Sequence, residues 1–238
     1  MGRWYIRLVL AAAGLVPFGI DAQAIRPLIA EFDRPTTASF EVNNPSLFPV
    51  TVVVEPWAFV LDREGRAEFG SLPPDVEVRF SETSFQVPPR TTHIVYYEIR
   101  AKHTPLWFTI YATIVGPTRP AESGLRLRLR LPHTVYVYGD ALERDDVSVS
   151  EVRFDRETAE VVALVENASE RLGRVRWAEA RAGGSMRESP GFPLLPGGAR
   201  TVRVPWTADE RPTSLTLHLD GFEVVVPVPA GAPERQGA

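Results

Sequence analysis

The stretch Gly124–Tyr138, GLRLRLRLPHTVYVY, decides how the rest of the chain is read. Leu125, Leu127, Leu129 and Leu131 alternate with Arg126, Arg128 and Arg130. Period-two alternation places the leucines on one face of a β-strand and the arginines on the other. Seven extended residues at about 3.3 Å each span roughly 23 Å, long for a globular protein. Such a strand either packs its leucine row into the core of its own domain or presents the row to another protein along an unpaired edge. The residues alone leave both readings open.

Outward from that strand, short β-type runs recur. On its N-terminal side lie Ile25–Phe32, Thr36–Asn43, Val50–Leu61, Val76–Phe80, Thr91–Arg100 and Leu106–Val115. Turn chemistry separates them at Asp33–Pro35, Asn43-Asn44-Pro45, Asp62-Arg63-Glu64-Gly65 and Pro88-Pro89-Arg90. About seven strands at this spacing is the pattern of an immunoglobulin-like sandwich. Tyr138–Asp146, YGDALERDD, is a charged hinge, and beyond it the plan repeats through Val147–Phe154, Ala159–Asn167, Gly173–Ala180, Arg200–Trp206, Ser214–Leu219 and Phe222–Val228. The expected fold is all-β, with two immunoglobulin-like β-sandwich domains, 25–139 and 140–230, joined by a short hinge and followed by a disordered tail at 231–238. No helix of more than two turns is expected in the mature chain.

Composition agrees. Of 238 residues 44% are hydrophobic and 24% charged, enough apolar material for packed cores, and 22 prolines and 17 glycines punctuate the β-runs. The absence of cysteine removes disulfides, thiol catalysis and thiolate metal sites together. A net charge of −4 argues against nucleic-acid binding. At the N-terminus, Arg3 and Arg7 precede and flank the apolar run Leu8–Ile20, and Ala22-Gln23-Ala24 has the small-x-small form of a cleavage site. The run is too short for the roughly 20 residues that span a bilayer. The expectation is a signal peptide over 1–24, a periplasmic or secreted location and no membrane span in the mature protein. Cleavage removes Arg3, Arg7 and Asp21 and takes the net charge from −4 to −5.

A search for chemistry returns little. His93, His103, His133 and His218 lack metal-ligand spacing, and Gly183-Gly184-Ser185 lacks the G-x-S-x-G setting of a nucleophile. The carboxylate pairs Asp62/Glu64 and Asp145/Asp146 fall in turn-like stretches. Asn167-Ala168-Ser169 fits a glycosylation sequon and equally a plain turn. No catalytic residue, metal site or cofactor is expected, and the chain reads as a binding or structural protein, not an enzyme. The arginines between the leucines suit either an anionic ligand or a solvated strand face that discourages edge-to-edge aggregation.

Read in order, several pieces resemble the periplasmic chaperones of pilus assembly, the PapD-like family. They are a secretory leader, a first strand ending Ala30-Glu31-Phe32-Asp33, then Phe40-Glu41-Val42-Asn43-Asn44 with Pro49 close behind, Leu61-Asp62 through Gly65 at a hairpin, Phe85-Gln86-Val87-Pro88-Pro89-Arg90 before a long strand, and GLRLRLRLPHTVYVY itself. The resemblance covers residues 25–139; residues 147–228 match in size and β-pattern only. It implies a chaperone that binds pilin-like or surface-fibre subunits by donating the row Leu125, Leu127, Leu129 and Leu131, with an outer-membrane usher as a further partner. It also implies two basic residues that anchor a subunit's terminal carboxylate, but the matching positions here are Ile29 and Thr134. Arg26, Arg34 and Arg130 are the basic residues left for that role, with Arg26 and Arg130 the candidates. A two-domain structural or adhesive surface protein is the alternative.

Overall fold

Alternation of buried and exposed positions builds both halves of the chain. The computed structural model describes residues 24–116 and 128–230. Residues 1–23, 117–127 and 231–238 lie outside the described residues, and with them nearly all of the expected leader, the tail, Leu125 and Leu127. In chain order the strands of the first domain are β1 (Ala24–Arg26), β2 (Ile29–Phe32), β3 (Thr37–Asn44), β4 (Val50–Leu61), β5 (Ala67–Gly70), β6 (Val76–Phe80), β7 (Ser84–Val87), β8 (Thr91–Ala101), β9 (Leu106–Val115) and β10 (Arg128–Val137). Those of the second are β11 (Val147–Asp155), β12 (Glu160–Asn167), β13 (Gly173–Ala182), β14 (Ser185–Leu194), β15 (Ala199–Pro205), β16 (Ser214–Leu219) and β17 (Glu223–Pro227). One 3-10 turn, Arg144–Asp146, sits between them. Among the described residues no helix is long and apolar enough to cross a membrane.

The first domain is a sandwich of one sheet ordered β1-β3-β8-β6 and another ordered β2-β10-β9-β4-β5, with β7 also paired to β4. Phe40 and Val42 of β3, Val95, Tyr97 and Ile99 of β8, Phe108, Ile110 and Ile114 of β9 and Val52 and Val54 of β4 meet in one core. The second domain packs β11-β12-β15 against β14-β13-β16-β17 around Val161, Val165, Leu194, Trp206, Leu215 and Leu217. The expected all-β pair of sandwiches is the observed architecture.

Three strands escape the sequence reading, and each has a local reason. β5 and β7 are four residues long, too short to show periodicity. β14 carries Pro190, Gly191 and Pro193, which read as a loop, yet it is an edge strand, where a missing N–H costs little. Gly191 is required there: a Cβ would lie 2.1 Å from the Val175 carbonyl oxygen of the neighbouring strand β13. The run Ile25–Phe32 also divides in two at Pro27. β1 pairs antiparallel with β3 in one sheet, and β2 pairs parallel with β10 in the other.

The same polar device closes one corner of each domain. Asn44 at the end of β3 is buried; its Nδ2 donates to the carbonyls of Phe48, Val87 and Pro88 at 2.9–3.1 Å, and its Oδ1 accepts from the Ser46 N–H and hydroxyl. Asn167 at the end of β12 does likewise, donating to the carbonyls of Arg171, Leu194 and Leu195 and accepting from the Ser169 N–H and hydroxyl. Asn167 is 1% exposed, so the sequon at 167–169 is a turn and not a glycan site. Asn167→Ala leaves three carbonyls without their donor, and the second domain is expected to lose about 3 kcal/mol, a drop on the order of 10 °C in melting temperature. A thermal melt shifted by less than a degree or two would show that the corner does not depend on this side chain.

Candidate functional site

β10 is paired on one side along its whole length and on the other for less than half of it. Its register with β9 runs from Arg128↔Val115 to Val137↔Leu106. β2 lies beside it only from Thr134↔Ile29 to Val137↔Phe32. The Thr134 N–H donates to the Leu28 carbonyl at 2.8 Å and the Tyr138 N–H to that of Phe32 at 2.8 Å. Main-chain groups alternate in direction along a strand, so those of Pro132, Arg130 and Arg128 point the same way as Thr134. Among the described residues no strand meets them there. Pro132 brings only a carbonyl to this edge, whereas Arg128 and Arg130 bring both an N–H and a carbonyl.

Side chains alternate across the sheet at the same positions. His133, Val135 and Val137 are buried in the first domain's core, and Leu129 and Leu131, on the same face, are half-buried against it. The described part of the leucine row therefore rests on its own domain at the end of the strand where the edge is open. On the opposite face Arg128 and Arg130 are exposed. The Arg130 guanidinium lies 3.7 Å from the Tyr111 ring centroid and 5.3 Å from that of Trp57. Thr134 Oγ1 is 3.1 Å from Thr109 Oγ1.

His133 fixes the strand where the two kinds of pairing meet. Its Nδ1 donates to the Pro27 carbonyl at 2.6 Å and its Nε2 accepts from the Tyr97 hydroxyl at 2.9 Å, while the ring stacks on Phe40. A carbonyl can only accept, which sets the tautomer. Burial pulls the imidazole pKa below its usual value, with the Pro27 bond opposing, and burial raises that of the Tyr97 phenol. His133 is thus a neutral, satisfied core residue that binds β10 to β8 and to the β1–β2 junction.

Next to β2 the two domains meet over a second cluster, which the sequence did not disclose. Glu31, opposite Tyr136 in the β2–β10 register, accepts from the Tyr138 hydroxyl at 2.5 Å and from Arg176 Nη1 at 2.8 Å, and Arg174 Nε lies 2.6 Å from it. Arg176 also grips Asp220 with both Nε and Nη2, at 2.8 and 2.7 Å. The Arg174 guanidinium sits 4.8 Å from the Tyr136 ring centroid. Burial alone raises the Glu31 pKa, but the bonds from Tyr138 and Arg176 and the two arginine charges outweigh it and hold the carboxyl below its usual range. Beside this lies an apolar contact of Phe59 and Tyr136 with Leu172 and Leu195. Farther along, the Thr201 N–H donates to the Arg63 carbonyl of the β4–β5 hairpin at 2.6 Å, and Arg203 pairs with Glu64 at 3.3 Å. Gly65, at φ +78°, makes the turn that allows this approach. Only the alternation Arg174-x-Arg176, two cations on one strand face, signals the cluster in the sequence.

Ile29 and Thr134 are direct register partners, so the two positions singled out by the resemblance stand side by side with an apolar and a hydroxyl side chain in them. Arg26 is exposed on β1 in the β1-β3-β8-β6 sheet, and Arg130 lies on the outer face of the other sheet.

Comparison with solved structures puts this arrangement among known folds. A chain of the Salmonella enterica SafA pilin–SafB chaperone complex superposes with a TM-score of 0.56 at 14% identity, covering 87% of this chain and 96% of that one. The YadV chaperone matches at 0.53 and 11% identity over 87% of this chain and 99% of its own. The class 5 fimbriae chaperone CfaA matches at 0.53 and 8% identity over 89% and 100%. This is the pilus-chaperone fold. The likeness spans both domains, and at these identities it is a likeness of fold. Neither a family model nor a curated protein sequence matches the chain.

In this version of the pilus-chaperone fold a carboxylate on the first domain and two arginines on the second hold the domains together. A carboxyl whose folded pKa is depressed contributes stability that is present above its usual value of 4.5 and is lost as pH falls through the lowered one. Small-angle scattering of the wild type is therefore expected to be constant from neutral pH down to about pH 5 and to broaden in stronger acid. Glu31→Gln is expected to show a broadened interdomain distribution already at neutral pH. Superimposable neutral-pH curves for the two proteins would show that the ion cluster does not set the domain arrangement.

Proposed function

We propose that the chain is a periplasmic chaperone that binds and stabilises pilin-like or surface-fibre subunits before fibre assembly, lending them the strand around Leu125–Leu131. The observation that carries this reading is the edge of β10 over Arg128–Pro132, unpaired among the described residues, on the strand that bears the alternating leucines. An extended segment added there gains main-chain bonds from the edge and packs alternate side chains beside the leucine row. Leu129 and Leu131 then serve both partners, half-covered by their own core before binding, and each large apolar side chain contributes about 1.5–3 kcal/mol when fully buried. A pilin stands beside its chaperone in the Salmonella enterica structure of this fold, which supports carrying that role here. The proposal includes removal of residues 1–24 on export, domains at 25–139 and 140–230, and release of the subunit to an outer-membrane usher. With Ile29 and Thr134 uncharged, Arg26 and Arg130 are the basic residues assigned to the subunit's chain end. No cofactor, nucleic acid or membrane span enters the mechanism.

A structural or adhesive two-domain surface protein is the second reading, favoured by the packing of Leu129 and Leu131 against their own core. Arg130→Pro separates the two. It removes the outward N–H of position 130 without touching the bonds to β9, so the melting temperature is expected to stay within a few degrees of wild type. Capture of a co-expressed fibre subunit from the same gene neighbourhood is expected to fall at least about tenfold, and further than in Arg130→Ala, which removes the same charge but keeps the N–H. Undiminished capture by a folded Arg130→Pro protein would remove the edge from the mechanism.

A further inference from the structure

Along the open edge of β10 the exposed faces carry opposite chemical instructions. Arg128, Arg130 and Pro132 project to the outer face, Leu129 and Leu131 to the core face. A strand docked on this edge alternates in the same way, so half of its side chains stand beside the arginines and half beside the leucines. Among the described residues no acidic side chain pairs with Arg128 or Arg130. Of the acidic residues on this face, Glu55 is opposite Tyr111, which is opposite Pro132, so it lies two strands in from the edge, and Glu31, opposite Tyr136, is taken by Arg174 and Arg176. Arg130 leans back over Tyr111 and Trp57, and among the described residues Arg128 has no charged or aromatic side-chain partner. The chain as a whole is acidic, with a net charge of −4, so this positive strip is local to the edge.

We propose that Arg128 and Arg130 select, for docking on β10, a client strand in which Asp or Glu alternates with apolar residues. This rests on the edge-binding reading above and adds the partner's pattern to it. The acidic side chains fall beside the two arginines and the apolar ones beside Leu129 and Leu131. Opposite charges on neighbouring strands attract and like charges repel, so a client carrying Lys or Arg at those positions is rejected. The same rule disfavours a second copy of this chain, whose own edge would set arginine against arginine. Pro132 ends the run of outward N–H donors, so the docked strand makes its bonds at Arg128 and Arg130 and meets the exposed Leu28 and Ile29 below.

The test uses the full chain as exported and four labelled peptides with blocked ends, read by fluorescence anisotropy. One alternates Val with Asp, one Val with Ser and one Val with Lys; the fourth has the Val–Asp composition arranged in two blocks. Val–Asp is expected to bind at least about tenfold more tightly than Val–Lys, with Val–Ser between them and the block peptide far weaker than the alternating one. In the Arg128→Gln/Arg130→Gln double variant the Val–Asp to Val–Lys ratio is expected to shrink to about twofold. Equal binding of the three alternating peptides overturns the charge selection and leaves the edge reading intact. Equal binding of block and alternating Val–Asp peptides overturns it as well, because simple ionic attraction then suffices. Failure of all alternating peptides, Val–Ser included, overturns the edge itself and this inference with it.

Discussion

At Pro27 the chain leaves one sheet of the first domain and enters the other, and much of the structure follows from that change. A proline has no N–H with which to continue a ladder. β1 therefore stops at Arg26 in the sheet with β3, and β2 starts afresh at Ile29 beside β10. Because β2 reaches only from Ile29 to Phe32, it covers β10 from Thr134 onward and leaves the rest of that edge without a partner strand among the described residues. The Pro27 carbonyl is not wasted, since it accepts the Nδ1–H of His133 and so fixes β10 where pairing changes from two-sided to one-sided. An edge of this kind is ordinarily an aggregation hazard, and flanking it with exposed arginines is one of the ways natural sheets keep such edges from pairing with one another.

The two domains share a construction principle that goes beyond size and strand pattern. Asn44 and Asn167 each end a strand, each lie two residues before a serine, and each spend a whole carboxamide on satisfying a corner that would otherwise bury unpaired carbonyls. The neighbours that supply those carbonyls are far away in sequence, Val87 for one and Leu194 for the other, so the motif is local while its purpose is not.

Between the domains, charge is spent on geometry. Glu31 is drawn toward Arg174 and Arg176 of the second domain while Asp220 holds Arg176 from its other side, and both arginines are thereby committed. The cluster is partly buried beside an apolar contact, where ion pairs are less screened than on an open surface. Its carboxylate comes from the protein itself, and the adjacent register pair Ile29–Thr134 carries no charge. In this chain the cleft is neutralised from within.

Local pattern was enough for the sandwich architecture. Alternation in Thr36–Asn43 and Thr91–Arg100 states which side chains face a core, and the turn residues between the runs state where the chain reverses; neither needs knowledge of a partner strand. The Leu/Arg alternation likewise declared two unlike faces. What it did not declare is which strands flank it, since sheet order is a matter of long-range pairing. Only the tertiary structure set β9 along all of β10 and β2 along part of it, seated Leu129 and Leu131 on their own core, and brought Glu31 to Arg174 across the whole first domain. β14 passed for a loop because its prolines are tolerated only by virtue of an edge position, and an edge does not exist until the sheet is assembled. The sequence by itself determined the faces of each strand, because side-chain direction alternates with every residue; the neighbours of each strand were decided by the fold, because backbone hydrogen bonds carry no residue code that would name their partner.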